Sequence, residues 1–442
     1  MLLALTTVLV GMLIVGDRSH DTSLCWILWF ALGSVAGVIA GAARRIWVVA
    51  VALLLLYPMA EWLDLPHLRL DTTIRLDLFY WRALMAVGAA IVASGFALGA
   101  WVAGRAGLGD RIGRRPLIGG LGLGALGLLG WTVFAGAFGA RELMTPDDAA
   151  KWADCSTPTI AYGWSYEAIN YDQDLDAGLA AGCAGHQGTA GTDVRAGDGT
   201  PIAGWFIPAG RADRSTRPAI VIVPGWKSNK SEVLKYAPAF HDTFDLVLVD
   251  LRNGGRSGGV ETTWGYRERG DVRAIIDWLV EAKHPSWIGV MGNSMGAATA
   301  LAEAVGDERV EALILDSMHG TLVASVADGA EAEPHMPGYP TAWAAMATMS
   351  LRIGGDVTTV DPVRTITELG PRPVLLIHGT ADILDKPGHS AERVLEAGRA
   401  AGVAIELAYC TGGTHGQLID GLSDRVATSG RRLPGPGRRV GR

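Results

Sequence analysis

The chain has 442 residues and a net charge of −7, with 38 Lys and Arg against 45 Asp and Glu. That balance, with no Lys/Arg-rich block in the body of the chain, argues against nucleic acid as a partner. The length exceeds one average domain, and the positive mean hydropathy of +0.24 is unusual for a soluble protein of this size.

The apolar excess lies in the first 140 residues, which contain no lysine. Uncharged apolar runs occupy Met1–Gly16, Thr22–Ala43, Ile46–Ala60, Ala83–Gly104 and Pro116–Ala140. A helix rises about 1.5 Å per residue, so crossing a hydrocarbon core of roughly 30 Å takes about 20 residues. The second, fourth and fifth runs meet that length. The third is short, but Arg45 can snorkel at one end while Glu61 and Trp62 sit at the interface. The first lacks a positive n-region and a small-residue cleavage site, so it reads as a membrane helix rather than a signal peptide. Seven of the fifteen tryptophans fall in this third of the chain, most near run ends, where an amphipathic indole prefers to sit. Residues 1–140 are therefore expected to form four to five transmembrane helices, with the lipid bilayer as a partner. Gly120 and Gly124 in the fifth run have the spacing of a helix-packing pair, which glycine-rich composition alone explains.

Arg44 and Arg45 fill the loop between the second and third runs. Arg105, Arg111, Arg114 and Arg115 stand against one Asp110 between the fourth and fifth. Arginine-rich loops belong on the cytoplasmic side, which places everything after Ala140 outside the cytoplasm. There, an oxidising compartment would let Cys155 and Cys183 form a disulfide; two unpaired thiols are the alternative.

Residues 141–190 read as an irregular linker packed on the domain that follows. From 191 to 428 strands and helices alternate. Val194–Ala196 leads through Asp198-Gly199 into Ile202–Ile207, the pattern of a hairpin. Ala219–Val223 and Phe244–Val249 are short continuous apolar runs, as in parallel strands buried on both faces. A helix over Gly270–Ala282, a strand over Ile288–Met291 and a helix from Met295 to about Ala304 follow, with further strands at Ala312–Leu315, Val374–Ile377 and Ile405–Ala408. The alternation implies an α/β fold with a mostly parallel sheet covered on both faces. In such sheets sites form at the carboxyl ends of strands. Residues 429–442, with Arg431, Arg432, Arg438, Arg439 and Arg442 among Gly and Pro, read as a disordered basic tail.

Gly292-Asn293-Ser294-Met295-Gly296 sits where a strand gives way to a helix, the strand–turn–helix setting of a nucleophile elbow. His378-Gly379-Thr380-Ala381-Asp382 puts a carboxylate after a later strand, and Gly412-Gly413-Thr414-His415-Gly416 puts an imidazole after the last. A serine hydroxyl is a weak nucleophile at neutral pH and needs a base within hydrogen-bond reach, and that base needs a carboxylate to fix its tautomer. Singly, Asp382 could cap a helix, Asp385 is a rival acid, and His415 could be an ordinary loop histidine. In the order Ser294, Asp382, His415, each on a strand end, they form a catalytic triad. The oxyanion hole is assigned to the backbone N–H groups of Met295 and Trp226, the latter within Pro224-Gly225-Trp226-Lys227-Ser228. The Trp226 indole could equally cover the pocket.

Residues 190–425 resemble the α/β-hydrolase superfamily, in its single-domain esterase/peptidase-like branch. The likeness rests on Gly292–Gly296, on the Asp382 and His415 loops, and on Asp361-Pro362. It rests also on Asp250-Leu251-Arg252-Asn253-Gly254-Gly255-Arg256-Ser257-Gly258, similar to that family's Asp-x-Arg-Gly-x-Gly-x-Ser turn. Pro224 stands where the family usually has His, and Asp385-Lys386-Pro387 replaces an apolar-Pro pair after the acid. The resemblance implies an α/β-hydrolase fold and a serine hydrolase acting on a carboxylic ester or related acyl bond.

The stretch of about 317–360 occupies the place of a cap, and Met336, Trp343, Met346 and Met349 would suit a small or lipid-like acyl substrate. The packed underside of a helix is the competing reading. No metal-ligand spacing, dinucleotide fingerprint or phosphate loop stands in the right context, so no cofactor or metal is expected. Peptidase or acyltransferase chemistry with the same triad, and a non-catalytic membrane binding protein, are the alternatives. The oligomeric state is not legible.

Overall fold

The structure, a computed structural model, describes residues 30–39, 77–108, 113–145, 156–170, 193–210, 217–332 and 338–416. Two compact units divide the chain: Met1–Phe138 with Ala330–Ala344, and Gly139–Gly329 with Ala345–Arg442. Cys155, Cys183 and the tail 429–442 lie outside the described residues.

In the first unit, one helix among the described residues, Arg114–Met144, is long and apolar enough to cross a membrane. Phe30–Ile39 and Ala90–Arg105 are apolar but shorter, the latter as part of the helix Asp77–Arg105. The bundle of four to five spans is thus not shown. The runs 1–16 and 46–60 lie outside the described residues, and 22–43 is described only over 30–39. Along Arg114–Met144 the side chains of Ile118, Leu123, Leu126, Leu129 and Val133 are exposed, a surface better suited to lipid than to water. Gly120, Gly124 and Gly127 abut Ala97, Ser94 and Ala90 so closely that a Cβ on any of the three glycines would overlap its partner. The spacing of Gly120 and Gly124 is therefore a helix-packing contact rather than an accident of composition.

The second unit is built on an eight-stranded sheet in the order β1-β2-β4-β3-β5-β6-β7-β8. Its strands are β1 (Glu167–Ile169), β2 (Gly204–Ile207), β3 (Pro218–Val223), β4 (Asp245–Val249), β5 (Trp287–Asn293), β6 (Val310–Asp316), β7 (Val374–Gly379) and β8 (Ile405–Cys410). β1, β2 and β4 pair antiparallel, and every pair from β4 to β8 is parallel. Successive side chains of a strand point to opposite faces, and β3 and β4 show the result. Val221, Val223, Val247 and Val249 join one core with the helices Glu268–Lys283 and Met295–Gly306. Ile220, Ile222, Leu246 and Leu248 join the other, with Tyr236 and Phe240.

The antiparallel edge departs from expectation. The turn at Asp198-Gly199 forms, with Gly199 at φ 87° and the Ile202 N–H donating to the Val194 carbonyl. Pairing there stops at a single bridge between Arg195 and Pro201, since proline has no N–H to extend a ladder. β2 pairs instead with β1, drawn from the segment expected to be an irregular linker. Ile169 is fully buried and Tyr166 packs edge-on to Trp205.

The helix expected to end at Ala140 runs further. The helix continues to Met144, and its last turn belongs to the second unit, with Ala140 and Met144 buried in its core. A helix end leaves its last carbonyls without partners. Here the Leu143 carbonyl accepts both indole N–H groups of Trp226 and Trp264, each at 3.0 Å, and the Met144 carbonyl accepts the Thr262 N–H at 2.7 Å.

The Asp250–Gly258 turn is scaffolding. Fully buried Asp250 is ion-paired with Lys230 and accepts the Arg256 N–H, while Arg252 is clamped by Asp271 and Asp198. In the cap region, Met346 and Met349 are buried in the core and Trp343 is exposed, so the methionines pack as a helix underside. Met336 lies outside the described residues.

Candidate active site

β5 ends at Asn293 and a helix begins at Met295, leaving Ser294 between them at φ 52° and ψ −121°. A non-glycine residue there stores about 1–3 kcal/mol of strain and persists only where its surroundings hold it. Two glycines make the turn fit. A Cβ on Gly292 would strike the Gly296 carbonyl and Ala297, and one on Gly296 would strike the carbonyls of Val223 and Pro224. The Ser294 N–H donates to the Asp316 carbonyl at 2.7 Å, tying the turn to the end of β6.

Three strand-end loops then converge. His415 Nε2 lies 2.8 Å from Ser294 Oγ, and its Nδ1 lies 2.8 Å from Asp382 Oδ2. Asp382 is buried and accepts the N–H groups of Leu384 and Asp385 on its other oxygen, each at 3.0 Å. The acid and histidine loops are joined by the Ala381 N–H to Gly413 carbonyl and by Gly412 N–H to Thr380 Oγ1. Lys235 holds the Gly416 carbonyl at 2.7 Å. The sequence-derived Ser294, Asp382 and His415 are thus brought together.

Burial alone would raise the Asp382 pKa, but the His415 hydrogen bond and charge outweigh it, and the carboxyl sits below its ordinary value. His415 is the converse. Burial opposes its protonation, and the Asp382 hydrogen bond with the charges of Asp385, Asp382 and Asp316 lifts it above the ordinary histidine value. The rival Asp385 lies 3.7 Å from His415 Nδ1, and burial pushes it up to about 7.

Gly225 brings the other loop against the nucleophile: a Cβ there would lie 3.1 Å from the Ser294 Cβ. Neither the Trp226 nor the Met295 amide takes part in the backbone turn and loop hydrogen bonds of the described residues. The Trp226 indole packs against Trp264 at 5.2 Å in a tilted arrangement and is covered by the Lys227 ammonium at 4.4 Å. Trp264 is held in turn by Glu268, which accepts the N–H groups of Thr263 and Gly265.

Two residues of this rim escaped the sequence reading. Asp316, fully buried, accepts Tyr236 at 2.5 Å, Asn293 at 3.2 Å and Ser317 at 3.0 Å. His319 is 1% exposed, and neither ring nitrogen has a hydrogen-bond partner, an arrangement that costs about 1–3 kcal/mol. Asp316 closes β6 and His319 lies just beyond it, where the strand-end rule that located Ser294 and Asp382 would have pointed.

Residues 218–345 match the family described as alpha/beta hydrolase fold. The chain is 31% identical over 205 residues to the uncharacterized protein YqkD of Bacillus subtilis (strain 168), covering 46% of this chain and 65% of that one, just under two thirds of its length. It is 27% identical over 249 residues to the uncharacterized protein YfhR of Salmonella typhimurium, covering 52% and 74%. Among solved structures, the Pyrococcus furiosus esterase Pf2001 aligns with a TM-score of 0.48 at 20% identity, over 63% of this chain and 95% of that one. With the parallel sheet and the turn at Ser294, the family match gives the second unit the alpha/beta hydrolase fold.

Proposed function

We propose that the protein is a membrane-anchored serine hydrolase that cleaves a carboxylic ester or related acyl bond through an acyl-serine intermediate. The observation that carries this reading is the unbroken chain Ser294–His415–Asp382, with both links at 2.8 Å. In this mechanism Ser294 Oγ attacks the acyl carbon as its proton passes to His415 Nε2. The oxyanion is stabilised by the N–H groups of Trp226 and Met295. The C–O bond to the leaving group breaks, and the departing alcohol takes the proton back from His415. Water then hydrolyses the acyl-serine by the same route, restoring Ser294 and releasing the acid. Asp382 holds His415 with Nε2 free to accept the serine proton.

Ser294→Ala in the full chain should abolish ester turnover and fluorophosphonate labelling while leaving the fold intact. Labelling at the wild-type rate would refute the assignment. Ester, peptide and alcohol-acceptor turnover measured side by side separates hydrolase, peptidase and acyltransferase chemistry on this triad, and a small or lipid-like acyl substrate is the class expected. Anchoring is supported by the apolar helix Arg114–Met144. The arginine-bearing loops favour an extracytoplasmic catalytic domain. Protease added outside sealed, right-side-out vesicles should then digest it; full protection would reverse the topology.

A further inference from the structure

His319 leaves the carboxyl end of β6 on the same rim as Ser294, Asp382 and His415. Its neighbours on that rim are already engaged: Ser294 and Asp382 with His415, Asp316 with Tyr236, and His378 with the Asp385 carbonyl. His319 alone of these is buried with neither ring nitrogen bonded. Its ring lies 6.5 Å from that of Trp264, which packs against Trp226, the residue whose amide is a candidate oxyanion donor. The imidazole is therefore near Trp264 and close enough to His415 to feel its charge. Native structures rarely leave a buried polar group without a partner unless something outside the protein completes it.

We propose that His319 binds substrate, hydrogen-bonding an uncharged polar group, such as a hydroxyl, ether or second carbonyl oxygen, that the ester carries beside its scissile bond. The proposal deepens the serine-hydrolase reading and rests on it. Burial, helped by the nearby His415 charge, holds His319 down to about 4, so it is neutral across the working range. A neutral imidazole offers one N–H donor and one lone pair. A carboxylate in its place would draw a proton onto His319 beside a His415 that must itself become cationic during catalysis, so acidic substituents are excluded. A plain alkyl chain would leave the ring as unpaired as it is in the free protein.

Two pairs of probes place the hydroxyl on either side of the bond: p-nitrophenyl 3-hydroxybutyrate against p-nitrophenyl butyrate, and glycerol monobutyrate against propyl butyrate. With the full chain, at least one hydroxylated ester should exceed its plain partner by tenfold or more in kcat/KM. His319→Phe should erase that preference, lowering kcat/KM for the hydroxylated ester at least tenfold more than for its plain partner. His319→Gln should keep part of it. The Phe variant removes an orphaned group, so its Tm should hold or rise. Equal losses on all esters, no preference in the wild type, or a fall in Tm that tracks the loss of activity would each overturn the proposal. Fluorophosphonate labelling asks nothing of His319, so a wild-type protein that fails to label sinks the triad reading instead. Calorimetric binding to S294A protein of whichever ester showed the preference, p-nitrophenyl 3-hydroxybutyrate or glycerol monobutyrate, with and without His319→Phe, then decides the role of His319 by itself: weaker binding in the double variant supports it, and equal binding refutes it.

Discussion

Asp385 places a carboxylate oxygen 3.7 Å from His415 Nδ1, just beyond the 2.8 Å at which Asp382 already holds that nitrogen. One imidazole thus faces two acids, and the shorter link has the better claim to orient it. The longer one acts by charge.

That division predicts a pH signature. Only neutral His415 can accept the serine proton, so activity is present above its pKa and lost as pH falls through it. The protein lifts that pKa above the ordinary value, and Asp385 is among the causes. Asp385→Asn should move the acidic limb of kcat/KM to lower pH while the plateau stays within severalfold. The limb should also narrow, because Asp385, pushed up to about 7 by burial, titrates in the same range. Asp382→Asn should instead lower kcat by about 10⁴ at every pH, through loss of the correct tautomer. Reversed results would hand the triad role to Asp385.

The last turn of the helix Arg114–Met144 gives a second prediction. Its Leu143 carbonyl fixes the indoles of Trp226 and Trp264, and Trp226 carries the amide assigned to the oxyanion. Trp226→Phe keeps an aromatic ring against Trp264 but removes the N–H. The expected outcome is a loss of about 1 kcal/mol of stability and a roughly tenfold fall in kcat with KM little changed, because a loosened donor weakens transition-state binding more than substrate binding. Steady-state kinetics on the full chain separates the two constants. A change confined to KM would mean that the indole only lines the pocket.

These relationships differ in how visible they were beforehand. Buried parallel strands such as β3 and β7 stand out because continuous apolar runs of that length fit few other structures. Ser294, Asp382 and His415 stand out because one rim rule located all three. β1 did not: three residues carry too little alternation to register, and its role is set by its partner β2. The spacing of Gly120 and Gly124 was legible, but glycines on every side hid its meaning. The Lys230–Asp250 and Arg252–Asp271 pairs join positions about 20 residues apart, beyond any local pattern. His319 lies just past a strand end that the same rim rule marks, but what sets it apart is the absence of a bond, and only a folded environment can show that.

Gly225 allows a sharper test of the oxyanion loop. A methyl at this position would lie 3.1 Å from the Ser294 Cβ and 3.2 Å from the Asn293 carbonyl. Gly225→Ala should therefore push the loop off the nucleophile by a fraction of an ångström up to about 1 Å, a displacement that costs about 10²-fold in rate. Fluorophosphonate labelling should slow in parallel with ester turnover, because both build an oxyanion at the same place, whereas Tm should barely move. Wild-type labelling in G225A protein would remove the Trp226 amide from the mechanism.

Stability should turn on a pair outside the site. Arg252 clamps fully buried Asp271 with contacts of 2.6–3.1 Å. Burial nonetheless outweighs those bonds and raises Asp271 to about 6. Because the folded pKa exceeds the unfolded value near 3.8, Asp271 contributes stability that is complete below about pH 4 and fades as pH rises through 6. Arg252→Leu removes the positive partner and lifts the folded pKa further, so the fading extends to higher pH. At pH 8 the variant should lose about 3–5 kcal/mol, the cost of stranding a buried charge. At pH 5, where Asp271 is protonated in both proteins, the deficit should shrink to a fraction of that. Urea unfolding of the two proteins at both pH values reads the difference directly, and an equal deficit at pH 5 and pH 8 would show that Arg252 acts by packing rather than by its charge.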